Sequence, residues 1–118
     1  MTLQIVGVEN AGSVDTERVV FRVGGEPVAI WSYAVLDGAN DDPDKCRHVY
    51  YFDDASPFAT LRAGDKVYLY TGKGENIVEH KFNRRVASYY WGLKDSLWKK
   101  GDKITLLLIE QRIDKVVE

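Results

Sequence analysis

Three side chains carry the chemistry most often used for nucleophilic attack or metal binding: Cys46, His48 and His80. A Cys–His catalytic pair needs a third group to orient the imidazole and an oxyanion hole to receive charge. The spacing marks neither. On a strand, Cys46 and His48 project to the same side, and the pair reads as a thiol at a loop edge beside a strand imidazole. A structural zinc site takes about four ligands, and these three lack the paired spacing that specifies one. The acidic loop holding Asp37, Asp41, Asp42 and Asp44 lacks the Asp-x-Asp-x-Asp-Gly order that turns oxygens inward on Ca²⁺. It reads as a solvated loop. Gly72-Lys73-Gly74-Glu75-Asn76 is rich in glycine, but no Lys-Ser or Lys-Thr opening a helix follows to complete a phosphate cradle. No catalytic residue, metal or cofactor is expected, and the chain reads as a binding or structural module.

The sharper functional signal is a run of cations among aromatic rings. Between residues 80 and 103 the net charge is +5, and Tyr89, Tyr90, Trp91 and Trp98 are interleaved with the basic residues. Rings stack on nucleobases while cations hold phosphates. Lys81, Arg84, Arg85, Lys99 and Lys100 are the candidate partner-binding residues. Against nucleic acid stands an overall net charge of −2, since dedicated nucleic-acid modules carry a strong positive excess. Residues 37–54 sum to −4, so the two segments could also cancel across a folded surface. The first expectation is therefore a protein partner, a scaffolding role or self-association, through an exposed sheet edge or loop end, with the final strand near Arg112-Ile113-Asp114 as the candidate edge. Nucleic acid is the alternative.

The elements that must position these residues are strands. At 118 residues, 45% apolar and 29% charged, the chain is a single domain, 1–118, with enough apolar surface for one core. A lone cysteine forms no internal disulfide. No secretory leader is read at the N-terminus and no stretch reaches membrane-spanning length, so a cytoplasmic location is the expectation. Apolar–polar alternation dominates. Residues 3–8, 18–23, 28–36, 47–52, 66–71, 88–91, 96–98 and 104–109 read as strands, and 112–117 as a further edge. Gly24-Gly25-Glu26-Pro27, Arg62-Ala63-Gly64-Asp65 and Lys99-Lys100-Gly101-Asp102 supply turn chemistry. In 77–87, Val78, Phe82 and Val86 recur at helical spacing, which allows either a short helix or a long excursion.

Short strands separated by turn signals indicate an all-β, antiparallel sandwich or barrel, of about seven to nine strands. The expected core is Val19, Phe21, Ile30, Tyr33, Val35, Phe52, Val67, Leu69, Trp91, Trp98, Ile104 and Leu106.

Three segments resemble the lamin tail domain family. The first runs from Gly25-Glu26-Pro27-Val28 through Ile30 and Val35 to Asp37, with Tyr33 where the family has Trp and Trp31 two positions earlier. The second is Leu61-Arg62-Ala63-Gly64 followed by the strand to Thr71 and Gly72-Lys73-Gly74, with Ala63 for the usual Pro. The third is Tyr90-Trp91-Gly92, then Leu97-Trp98-Lys99-Lys100-Gly101-Asp102 and the strand from Ile104, with the two lysines in place of asparagines. The resemblance spans about 3–108. It implies an immunoglobulin-like fold and an accessory role. In nuclear lamins the module is a surface for protein and DNA partners; in bacteria and archaea it accompanies secreted nucleases, phosphatases and surface proteins.

Overall fold

Among the described residues, alternation is translated into eight strands. The computed structural model describes residues 3–37, 48–52, 60–111, 113 and 115–117. In chain order the strands are β1 (Leu3–Glu9), β2 (Arg18–Val23), β3 (Tyr33–Asp37), β4 (Val49–Tyr51), β5 (Lys66–Tyr70), β6 (Ile77–Lys81), β7 (Arg84–Tyr90) and β8 (Ile104–Leu108). They form a five-stranded sheet in the order β1-β2-β5-β7-β6 and a three-stranded sheet in the order β4-β3-β8. The two pack face to face, so the molecule is an all-β sandwich. Among the described residues no helix is long and apolar enough to cross a membrane.

Every ladder is antiparallel except β5–β7, a departure from the uniform pattern expected. The segment 77–87 explains it. It is neither helix nor excursion but a hairpin whose two-residue turn is Phe82-Asn83. The four-residue recurrence of Val78, Phe82 and Val86 is a coincidence of a strand, a turn and a strand. The hairpin sends β6 out to the sheet edge, and its return strand β7 fills the position beside β5, parallel to it.

Strand periodicity puts Val19, Phe21 and Val23 of β2, Val67 and Leu69 of β5, and Ala87 and Tyr89 of β7 on the inner face, all buried. The opposite sheet contributes Tyr33 and Val35. Phe52 ties the layers together, with its ring centroid 6.2 Å from Phe21, 5.1 Å from Tyr50 and 4.9 Å from Tyr89, each edge to face. Such buried rings contribute roughly 1.5–3 kcal/mol each. Trp91, Ile104 and Leu106 are half-buried against this core. Tyr89, Leu61, Val23 and Val28 also belong to the core, beyond the residues expected there.

One expected strand is shortened and another is absent. The run 28–36 breaks at a single 3₁₀ turn, Ile30–Ser32, before β3 begins. The turn rotates Trp31 outward to 47% exposure while Tyr33 enters the core, so Tyr33 alone fills the aromatic position. Residues 96–98 are not a strand. They are held instead by Glu17, which is fully buried beside β2. Its carboxylate accepts hydrogen bonds from the Leu97 N–H at 2.8 Å, the Trp98 N–H at 3.2 Å, the Gly12 N–H at 2.9 Å and the Thr71 hydroxyl. Burial on its own raises a carboxyl pKa. Here the hydrogen bonds from Leu97, Thr71, Gly12 and Trp98 outweigh it and hold Glu17 below the ordinary 4.5.

The edge strand expected near Ile113 also falls. The last strand ends at Leu108, no described residue beyond it is in a strand, and Ile113 stands 84% exposed. Arg112 and Asp114 lie outside the described residues. The outer position of the three-stranded sheet belongs to β8.

Candidate functional site

The outward positions of the five-stranded sheet form consecutive rows across strands. The register places Arg18 beside Tyr70 and Tyr70 beside Tyr90; Val20 beside Tyr68 and Tyr68 beside Ser88; Arg22 beside Lys66 and Lys66 beside Val86. Side chains that alternate with the core therefore gather three tyrosines and several cations on one solvent face. A groove of about 530 Å³ runs over this face toward the β6–β7 hairpin, where Lys81, Phe82 and Arg84 close its end. Its lining carries five cations, Arg18, Lys66, Lys81, Arg84 and Arg85, against one carboxylate, Glu79. A chain that is slightly acidic overall thus presents a locally basic groove.

The floor is rigid. The Arg18 guanidinium lies over the Tyr68 ring, with Cζ 3.8 Å from the centroid. Its Nε donates to Glu9 Oε1 at 2.7 Å, and its Nη1 donates to the Tyr70 hydroxyl at 2.7 Å. Burial on its own lowers an arginine pKa. The bonds to Glu9 and Tyr70 more than compensate and raise it, so Arg18 stays charged. Tyr70 and Tyr90 stack at 4.7 Å with planes 11° apart. Gly74 backs this pair: a Cβ there would sit 2.5 Å from Tyr90 Cε2. Burial, followed by Tyr70 and Glu79, raises the Tyr90 pKa and keeps its hydroxyl protonated. The tyrosine faces are largely occupied by each other and by Arg18, so what they offer a ligand is hydroxyls and ring edges.

Phe82 differs from them. It is 96% exposed and lines the groove at the hairpin tip. It has φ 51° and Asn83 has φ 64°, the left-handed pair that a two-residue type I′ hairpin demands. Asn suits that conformation; a bulky aromatic does not, and strain of this kind gathers at functional positions. Among the described residues no ring partners Phe82, which leaves both its faces open for stacking.

Of the five residues singled out in the sequence, Lys81, Arg84 and Arg85 come together in this groove and Lys99 and Lys100 do not. The two lysines belong to the turn after Trp98, where Lys99 N–H donates to Asp102 Oδ2 at 2.8 Å. Glu17 anchors that turn at the end of the sheet opposite the hairpin. Arg85 is partly committed: its Nη1 donates to the Thr60 carbonyl at 3.1 Å and its N–H to Asp65 Oδ1 at 2.9 Å. Lys81 lies 3.9 Å from Glu79. Tyr89 and Trp98, read as interleaved stacking rings, are core. The rings that do face the groove, Tyr68 and Tyr70, were legible as the outward positions of a strand whose alternate residues, Val67 and Leu69, are apolar.

The remaining candidates are dispersed. Cys46 lies outside the described residues, as do Asp41, Asp42 and Asp44. His48 Nδ1 is 3.2 Å from Asp37 Oδ2, its N–H donates to Asp37 Oδ1 at 3.0 Å, and its ring meets Trp91 edge to face. That pair pins the start of β4 to the end of β3. His80 sits on β6, in the other sheet. Among the described residues no three metal-ligating side chains converge. Gly72 serves packing, since a Cβ there would lie 2.7 Å from the Val14 carbonyl oxygen. Compared with known protein families, curated proteins and solved structures, the chain gives no match.

Proposed function

We propose that this chain is a non-catalytic binding module of lamin-tail, immunoglobulin-like type, and that its ligand is single-stranded nucleic acid held on the outer face of the five-stranded sheet. The observation that carries the ligand is the groove itself: five cations and one carboxylate around tyrosine hydroxyls, closed by a phenylalanine that is 96% exposed. Cations at the spacing of a sheet neutralise a phosphate backbone, hydroxyls donate to phosphate oxygens, and a free ring stacks on a base without regard to its identity. The fold assignment is supported by how the quoted segments sit. Pro27-Val28 enters the sandwich by pairing Val28 with Leu61, Gly64 makes its turn with positive φ, and Trp98 is buried beneath the lysine turn.

The ranking of ligands rests on placement. The basic residues that reach one surface do so beside rings, and their charge suits a polyanion. A protein partner remains favoured only at the sheet edges, which are a separate surface. The test is a titration of fluorescently labelled single- and double-stranded oligonucleotides at low and near-physiological salt. Expected is micromolar binding that prefers the single strand. With three to four phosphates neutralised, log affinity should fall against log salt with a slope of about −2 to −3. Reversing charge in the Lys81→Glu, Arg84→Glu double variant should abolish it, while Lys99→Glu, Lys100→Glu should change it little. Absence of binding at low salt, or loss only in the second variant, would overturn the assignment; binding of an acidic peptide in place of oligonucleotide would reassign the groove.

A further inference from the structure

The four edges of the two sheets are not equally protected. Edge strands expose unpaired N–H and C=O groups, and proteins blunt them with bulges, charges, proline or short length. β1 carries a register shift between Ile5 and Gly7. β6 presents Glu79, His80 and Lys81. β4 has only three residues. β8 has none of these defences: its five residues are Ile104-Thr105-Leu106-Leu107-Leu108, regular in register and uncharged. Leu107 and Leu108 at its end are 42% and 53% exposed.

The hydrogen-bond phase of β8 follows from its inner neighbour. Ile109 N–H donates to the Ser32 carbonyl at 2.7 Å, and the register continues through Ala34 with Leu107 and Leu36 with Thr105. In an antiparallel ladder the bonded residues alternate. Thr105, Leu107 and Ile109 therefore turn their backbone groups toward β3. Ile104, Leu106 and Leu108 turn theirs outward, and none is bonded to another described residue.

We infer that β8 is a homodimerisation edge that pairs with β8 of a second copy. A two-fold axis at Leu106 sets Leu106 against its own copy and Ile104 against Leu108 of that copy. All three outward residues then lie in bonded positions, giving about six new backbone hydrogen bonds. The strand is its own complement because it is uncharged throughout and apolar except at Thr105. Charge at its ends selects the antiparallel orientation. Lys99, Lys100 and Lys103 with Asp102 precede β8, and Glu110 follows it. Antiparallel pairing brings each acidic end toward the basic end of the other copy, whereas parallel pairing would bring the lysines together. The outcome is one continuous sheet of two β4-β3-β8 halves, with Leu107 and Leu108 covered. Five residues bury well under the roughly 800 Å² per partner of a tight complex, so the dimer is a weak, concentration-dependent one. This inference uses a different sheet from the groove and stands whether or not nucleic acid binds.

Sedimentation equilibrium from about 10 µM to about 1 mM, the affinity range of a small interface, should show the mass rising from one copy toward two. Over the same range the amides of Ile104, Leu106 and Leu108 should gain protection from hydrogen exchange. Leu108→Pro removes an outward donor that bonds no other described residue, and Leu107→Lys adds a charge to the edge. Both should stay monomeric with unchanged unfolding temperature. Ile77→Lys, on the β6 edge, should still dimerise. Monomeric mass at the highest concentration would sink the inference. So would a dimer that survives both β8 variants, or one that Ile77→Lys abolishes.

Discussion

Replacing Phe82-Asn83 by Asn-Gly separates what the hairpin tip does for the fold from what it does for a ligand. Both residues adopt positive φ, 51° and 64°. An ordinary L-residue pays about 1–2 kcal/mol there, Asn less and Gly nothing. Asn-Gly is the preferred pair for this turn. Because Phe82 is almost fully exposed, its removal forfeits no packing. The double variant should gain roughly 0.5–1 kcal/mol, or about 2–5 °C in unfolding temperature for a domain of this size. The ligand loses the open ring at the end of the groove. Base–aromatic stacking is worth about 1–3 kcal/mol, so single-strand affinity should drop by about 5- to 150-fold. The salt slope should be unchanged, since no cation is touched. Thermal unfolding followed by circular dichroism and fluorescence-anisotropy titration read the two effects on one sample. Unchanged affinity would remove Phe82 from the binding surface; a lower unfolding temperature would contradict the strained-turn reasoning.

Other consequences are equally direct. Glu17→Gln should cost about 2–4 kcal/mol in urea denaturation, because it weakens four hydrogen bonds to one buried carboxylate. The same residue makes stability fall in acid. Its folded pKa lies below the ordinary 4.5, so its contribution is complete above about pH 4.5 and disappears as the pH drops through the folded value. Glu17→Gln should flatten that part of the pH profile, and an unaltered acid limb would assign it to other carboxylates. Gly74→Ala drives a Cβ into the Tyr90 ring. It should cost about 1–3 kcal/mol and change the near-ultraviolet tyrosine signal through the Tyr70–Tyr90 stack.

Most of the strands were legible because their inner and outer faces differ chemically. Arg18-Val19-Val20-Phe21-Arg22-Val23 and Lys66-Val67-Tyr68-Leu69-Tyr70 carry their burial pattern in their spelling. The failures arise where long-range partners decide. Ser96-Leu97-Trp98 has strand composition, yet its backbone donors go to Glu17, about 80 residues earlier. Trp31 and Tyr33 compete for one core position, and a 3₁₀ turn between them settles it, with no local signal to announce it. The hairpin at 82–83 was hidden because Phe is a poor turn residue, so its presence there is informative only once the φ values are known. The groove was half legible. Lys81, Arg84 and Arg85 stood out as a charge cluster, whereas Arg18, Lys66, Tyr68 and Tyr70 join them only through the sheet order.

The two sheets divide the molecule's surface by charge, and this limits what each can meet. The outer face of the five-stranded sheet carries Arg18, Arg22, Lys66 and Arg84, which would repel a second copy of itself across a two-fold axis. The outer positions of the three-stranded sheet are Ala34 and Leu36 on β3, Val49 and Tyr51 on β4, and Thr105 and Leu107 on β8; none is charged, so self-association there meets no such opposition. The two associations should therefore respond oppositely to salt. Added salt screens the groove's hold on phosphates but leaves a backbone-paired edge intact and slightly favours burial of its leucines. A preparation that dimerises at high salt and binds oligonucleotide at low salt would show both surfaces acting independently. If dimerisation instead weakened with salt in parallel with oligonucleotide binding, attraction between opposite charges would be joining the copies, and the assignment of the backbone-paired β8 edge as the joining surface would fail.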